Sequence, residues 1–167
     1  QINSQKRQIR EKEFREGNVD FTQTLLEHLK KNNNKAPLIM SSSIQAALDN
    51  PYGKSKLEAE EALIAYSYEE GVPVAVYRLP NVFGKWCRPS YNSVVATFCY
   101  NIAHNMPVQI NDSSSIVKLI YIDDVIKEFL SKAKTMSRGT VPERITDLEP
   151  VYSINLGTLA ERIYSFC

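Results

Sequence analysis

Three hydroxyls, a phenol and an ammonium fall close together in this 167-residue chain: Ser41, Ser42 and Ser43, then Tyr52 and Lys56. Tyr52 and Lys56 are four residues apart, so on a helix they share one face, a turn from each other. A lysine ammonium beside a phenol favours the phenolate and lowers the tyrosine pKa. A phenol tuned in this way can give or take a proton near neutral pH. A serine hydroxyl at the same place can hydrogen-bond the same substrate oxygen. The bare spacing also describes an ordinary surface pair on a helix, so the flanking residues decide its meaning.

Those flanks are specific. Pro37 to Met40 is a short apolar run that the serines close, and it reads as a strand buried on both faces, as in a parallel sheet. A helix from about Tyr52 to Glu70 follows, with Leu57, Leu63, Ile64 and Tyr66 inward and Glu58, Glu60 and Glu61 outward. Gly71 suits the C′ position, with Pro73 beyond it. Val74 to Leu79 is a second buried strand, which breaks at Pro80-Asn81-Val82-Phe83-Gly84. Strand, helix and strand at this spacing form a βαβ unit with a right-handed crossover.

The remainder alternates in the same way. Residues 1–16 are polar and charged, and from Gly17 the spacing of Val19, Thr22, Leu25, Leu26 and Leu29 predicts a helix that Asn18 can cap. Tyr91 to Asn105 reads as a helix, Val108 to Ile110 and Ile116 to Ile122 as strands, and Asp123 to Lys134 as a helix with carboxylates in its first turn. Thr135 to Pro150 reads as a loop, Val151 to Ile154 as a strand, and Leu156 to Phe166 as a last helix capped by Asn155. The expected class is α/β, a doubly wound parallel sheet.

Composition narrows the function. A net charge of +1 gives no reason to propose nucleic acid or an anionic membrane as partner. There is no apolar run of the roughly 18 residues that a membrane-spanning helix needs. The opening Gln1-Ile2-Asn3 has no signal-peptide pattern. Cys87, Cys99 and Cys167 lack metal-ligand spacing, so no metal is expected, and an odd number of cysteines fits a reducing cytoplasm. His28 and His104 read as surface residues of helices, and Cys87 has no histidine near it in sequence to make it a nucleophile.

The serine run followed by Pro51-Tyr52-Gly53-Lys54-Ser55-Lys56 resembles the active site of the extended short-chain dehydrogenase/reductases, the NAD-dependent epimerase/dehydratase family. The resemblance runs from about Asn18 to Lys134. It implies a Rossmann-like fold and catalysis by Ser43, Tyr52 and Lys56, with Ser42 as the alternative hydroxyl. Tyr52 would protonate the oxygen formed as hydride reaches a carbonyl carbon, Lys56 would lower its pKa and bond the nicotinamide ribose, and Ser43 would polarise the carbonyl. Pro80-Asn81-Val82-Phe83-Gly84 looks like the segment that meets nicotinamide and substrate, so Pro80, Val82 and Phe83 join Asn18, Ser41, Ser42, Tyr52 and Lys56 as implied cofactor contacts. Asn81, Lys85 and Arg88 are the implied substrate contacts. Tyr121-Ile122-Asp123-Asp124-Val125 is similar to a late family signature in which the acid is structural.

Finer details, Ser41 to Ala46, Asp49 to Gly53, Phe83 to Cys87, Pro89 and Tyr91 to Tyr100, resemble the reductase domain of the CapF/WbjC capsule enzymes. That implies NADPH- or NADH-dependent reduction of a 4-keto nucleotide sugar of the UDP-2-acetamido-2,6-dideoxy-hexos-4-ulose type, for capsule or O-antigen precursors, by a homodimer. The sequence departs from the family in three ways. None of its six glycines forms the G-x-x-G-x-x-G array that lets backbone approach a pyrophosphate, so the expectation is a C-terminal portion of such a domain with its N-terminal half absent. No cupin domain follows in this sequence. Val117 stands where many relatives carry a phosphate-binding arginine.

Dehydratases of the superfamily place an Asp-Glu pair just after the catalytic hydroxyl. Here Ile44 and Gln45 stand there and can do no acid–base work. A nucleotide-sugar 4-epimerase with bound NAD stays open, and so does a non-catalytic remnant or interaction domain.

Overall fold

The computed structural model describes residues 9–137 and 141–166. The polar first eight residues and Cys167 lie outside the described residues, and with them the readings made there. No described helix is long and apolar enough to cross a membrane.

The described chain divides into two compact units. The first takes in the residues up to Leu79 and those from Phe129 to Asp147; the second takes in Pro80–Glu128 and the residues from Leu148 onward. In the first, a helical run over 9–14 passes into a π-helical turn, Arg15–Asp20, and then into α1, Phe21–Lys31. β1, Leu38–Ser43, follows, then a 3-10 turn, Ile44–Ala47, α2, Pro51–Glu70, and β2, Val74–Leu79.

The start and stop of α2 are written locally. Pro51 occupies its first turn, where its missing N–H costs nothing, and Asn50 Oδ1 accepts from the Gly53 backbone N–H at 2.8 Å. Gly71 ends the helix in the left-handed region, at φ 62°. β1 and β2 then pair in parallel, with Ser42 opposite Arg78 and Ser43 opposite Leu79. The expected βαβ unit is therefore present, and β2 is buried along nearly its whole length. Leu26, Leu63, Tyr66, Val72, Val74 and Val76 form the core beneath it.

In the second unit β3, Asn81–Phe83, pairs in parallel with β4, Ile116–Tyr121. α3, Val94–Ala103, and α5, Leu156–Tyr164, pack on this sheet through Phe98, Ile102, Leu119, Leu159, Ala160 and Ile163. Ser93 caps α3, and Asn155 Oδ1 caps α5 by accepting from the Thr158 N–H at 2.7 Å. α4, Ile122–Thr135, carries Asp123 and Asp124 in its first turn, as expected.

The structure is α/β, with three departures from the sequence reading. With β5, Glu143–Ile145, and β6, Tyr152–Asn155, its strands form two three-stranded sheets, β1-β2-β5 and β3-β4-β6, and β6 runs antiparallel to β4. The expected loop from Thr135 to Pro150 contains β5, Glu143–Ile145, which adds in parallel to β2. Three residues with one charged at each of two positions carry too little apolar pattern to reveal that strand. Val108 to Ile110 is not a strand: Val108 and Ile110 pack on the core of the second unit without joining a ladder.

Candidate active site

The N-terminus of α2 is pressed against the turn that follows β1. A Cβ on Gly53 would sit 2.1 Å from the Gln45 carbonyl oxygen and 2.7 Å from that of Leu48. Only glycine allows this approach, and it brings the residue before it, Tyr52, to the end of β1. There the Ser43 hydroxyl stands beside the Tyr52 phenol and accepts from the Gln45 backbone N–H at 3.2 Å. One turn along α2, Lys56 Nζ lies 5.9 Å from the centre of the Tyr52 ring. Phe14 packs edge-on to the same ring at 5.3 Å, a contact the sequence did not suggest.

The electrostatics differ from the expectation that Lys56 lowers the Tyr52 pKa. Burial pushes the Tyr52 phenol above its ordinary value, and the neighbouring Ser43 hydroxyl only offsets this in part. Burial likewise pushes the Lys56 ammonium down, against the attraction of Glu60. Desolvation disfavours the charged form of each group, so the neutral phenol, the form that can donate a proton, is favoured.

Helix periodicity puts Glu60 on the outward face, but it is wholly buried. The Arg78 guanidinium donates from Nε to Oε1 at 3.0 Å and from Nη2 to Oε2 at 2.7 Å. Arg144 Nε donates to Oε2 at 3.1 Å and Ser42 Oγ to Oε1 at 2.5 Å. Burial alone would raise the Glu60 carboxyl; the bonds from Arg78, Ser42 and Arg144 outweigh it and hold the carboxyl below its usual range. Its partners stand 18, 18 and 84 residues away, which is why helix periodicity could not reveal them.

Ser42 is therefore buried and committed to Glu60, while Ser43 is half-buried beside Tyr52. Side chains alternate along a strand, so the bond that turns Ser42 toward Glu60 turns Ser43 away from it. Asn18 is not a helix cap, because it lies inside the π-helical turn; its amide donates to Ser55 Oγ at 3.0 Å on α2. Asn18, exposed Ser41 and Lys56 line a groove of about 260 Å³ with an apolar wall from Leu25, Met40 and Leu63. The glycine array that would hold a pyrophosphate is not in this sequence.

The other predicted residues belong to the second unit. Asn81 is exposed and its amide donates to the Lys118 carbonyl at 3.1 Å. Val82 pairs with Ile120, and the Phe83 ring lies 5.4 Å from that of Tyr121. Pro80 is half-buried just before them. Lys85 Nζ is paired with Asp123 Oδ2 at 2.7 Å, and the Arg88 guanidinium lies 5.9 Å from the Tyr91 ring centre. Trp86 is 99% exposed, so it packs on nothing. Among the described residues no cluster of ligands could hold a metal ion.

Comparison with known proteins identifies relatives of this chain. A family model described as "NAD dependent epimerase/dehydratase family" matches residues 2–146. A reductase of Pseudomonas aeruginosa, named for UDP-2-acetamido-2,6-beta-L-arabino-hexul-4-ose, is 48% identical over 155 residues, covering 92% of this chain and 41% of the relative. The crystal structure of the capsular polysaccharide assembling protein CapF of Staphylococcus aureus superposes with a TM-score of 0.77 at 41% identity, covering 89% of this chain and 41% of CapF. UDP-glucuronic acid 4-epimerase of Bacillus cereus, solved with NAD, matches in fold with a TM-score of 0.77 at 20% identity, over 89% of this chain and 52% of its own. The chain thus spans less than half the length of the Pseudomonas reductase and of CapF.

Proposed function

The chain belongs to the NAD dependent epimerase/dehydratase family, and from that premise we propose that it carries the catalytic half of a reductase acting on a 4-keto nucleotide sugar. The substrate class is the one in the Pseudomonas relative's name, a UDP-2-acetamido-2,6-dideoxy-hexos-4-ulose, and in this reading the product goes to capsule or O-antigen precursors. The observation that carries the proposal is the Ser43 hydroxyl beside the Tyr52 phenol at the end of β1, with Lys56 one turn along α2.

In this reading Ser43 and Tyr52 both donate to the substrate's C4 carbonyl oxygen and so favour charge developing there. Tyr52 then gives its proton to that oxygen, and Lys56, one turn behind, stabilises the phenolate left. A bound NADPH or NADH supplies the hydride to the carbonyl carbon. Asn18, Ser41 and Lys56 hold the nicotinamide ribose, with Pro80, Val82 and Phe83 as further contacts to the cofactor. Ser42 contributes by positioning β1, since its hydroxyl is committed to Glu60. Asn81, Lys85 and Arg88 contact the substrate, the two cations serving its diphosphate. Ile44 and Gln45, beside Ser43, offer no acid or base for dehydration. The protein works as a homodimer in the cytoplasm.

The test is calorimetry with NADPH on this chain and on a chimera that places a glycine-rich dinucleotide-binding segment of the family ahead of it. Binding by the chimera, with NADPH consumed on addition of a UDP-4-keto sugar, supports the reading. Interconversion at C4 without net NADPH consumption would replace it with a 4-epimerase. Neither binding nor turnover would replace it with an interaction domain.

A further inference from the structure

Glu60 is the one wholly buried carboxylate among the described residues, and the reaction proposed above gives it no part. Burying a carboxylate is expensive unless it is paired and bonded throughout. Here it is bonded by side chains from all three strands of one sheet: Ser42 of β1, Arg78 of β2 and Arg144 of β5. The carboxylate comes from the helix that carries Tyr52 and Lys56. Tyr52, Lys56 and Glu60 follow at successive four-residue steps, so they form one line along α2.

We propose that Glu60 is a positioning residue for the reductase site: it locks α2 to the ends of the strands, turns Ser43 toward Tyr52, and sets a negative charge one turn behind the Lys56 ammonium. The proposal rests on the reductase reading for its purpose and on this sheet for its geometry.

Two features separate this from a purely structural ion pair. The first is alternation. Ser42 and Ser43 are neighbours on β1, so fixing Ser42 on Glu60 Oε1 fixes the direction of the hydroxyl that meets Tyr52. The second is charge. Lys56 is driven toward neutrality by burial, and Glu60 is the group that opposes this. The groups facing Lys56 are Tyr52 and Glu60 on its own helix, Ser41 of β1 and Asn18 of the π-helical turn; Arg78 and Arg144 lie behind Glu60. A neutral lysine could neither stabilise a phenolate nor hold its proton while donating to a ribose.

The test is an NMR titration of the Lys56 side chain, with Lys56→Met to assign the signal, in the chain without cofactor or substrate. Glu60→Gln removes the negative charge and leaves two guanidinium groups uncompensated, so the Lys56 midpoint falls by about one unit. Arg144→Gln removes a cation while Arg78 keeps Glu60 paired, so the midpoint rises. Opposite shifts support the proposal. An unmoved midpoint in folded Glu60→Gln overturns it. If Glu60→Gln does not fold, Arg144→Gln decides alone: a rise supports the proposal, and no shift or a fall overturns it. Because nothing is turned over in this measurement, an inactive chimera counts against the reductase reading and not against the coupling of Glu60 to Lys56.

Discussion

The Ser43 hydroxyl stands beside the Tyr52 phenol across the turn between β1 and α2. Burial raises the phenol's pKa and this hydroxyl lowers it. Removing the hydroxyl by Ser43→Ala should therefore move the Tyr52 midpoint further up. A 13C titration of the tyrosine ring carbons, with Tyr52→Phe for assignment, reads the shift directly. A midpoint that stays or falls in Ser43→Ala would show that the Ser43 hydroxyl does not tune the phenol.

Gly53 should not tolerate a side chain. Its Cβ would meet two backbone carbonyl oxygens, at 2.1 and 2.7 Å, and backbone cannot rotate aside. Gly53→Ala should cost about 1–3 kcal/mol through overpacking. It should also displace Tyr52 from Ser43, so turnover falls by more than the stability loss explains. Denaturant melts together with rates at a temperature where the variant stays folded separate the two effects.

The Glu60 cluster should dominate acid stability. The folded-state carboxyl is held below its usual value of about 4.3, so its contribution is fully present above that value and is lost as pH falls through the lower folded value. Glu60→Gln should destabilise by about 3–5 kcal/mol at neutral pH, because Arg78 and Arg144 lose their partner. It should also flatten the stability profile below that value. Replacing Glu60, Arg78 and Arg144 together by Leu, Met and Met should recover most of the loss. Urea melts between neutral pH and pH 3 check all three statements.

Much of this was legible locally. The serine run, Tyr52 and Lys56, the Pro51 start and the Gly71 stop of α2 are short-range signals, and each lies in the strand or helix that the sequence pattern indicates. What escaped depends on distance along the chain. Glu60 looks like any surface acid on a helix until Ser42, Arg78 and Arg144 arrive from three strands. β5 is too short to announce itself, and it is seen only because β2 offers it an edge. Asn18 has the composition of a cap, yet the helical run begins well before it, so its amide turns to Ser55 instead. The sign of the Tyr52 shift was missed because a pair in sequence says nothing about burial.

The most direct test of the reductase account is single-turnover reduction of a UDP-4-keto sugar by the chimera, comparing Tyr52 with Tyr52→Phe at saturating NADPH. The account predicts that Tyr52→Phe binds NADPH as tightly as before while reduction slows by about 10²–10⁴-fold, the usual range for a lost general acid. Reduction at an undiminished rate in Tyr52→Phe would contradict it and move the proton donor elsewhere.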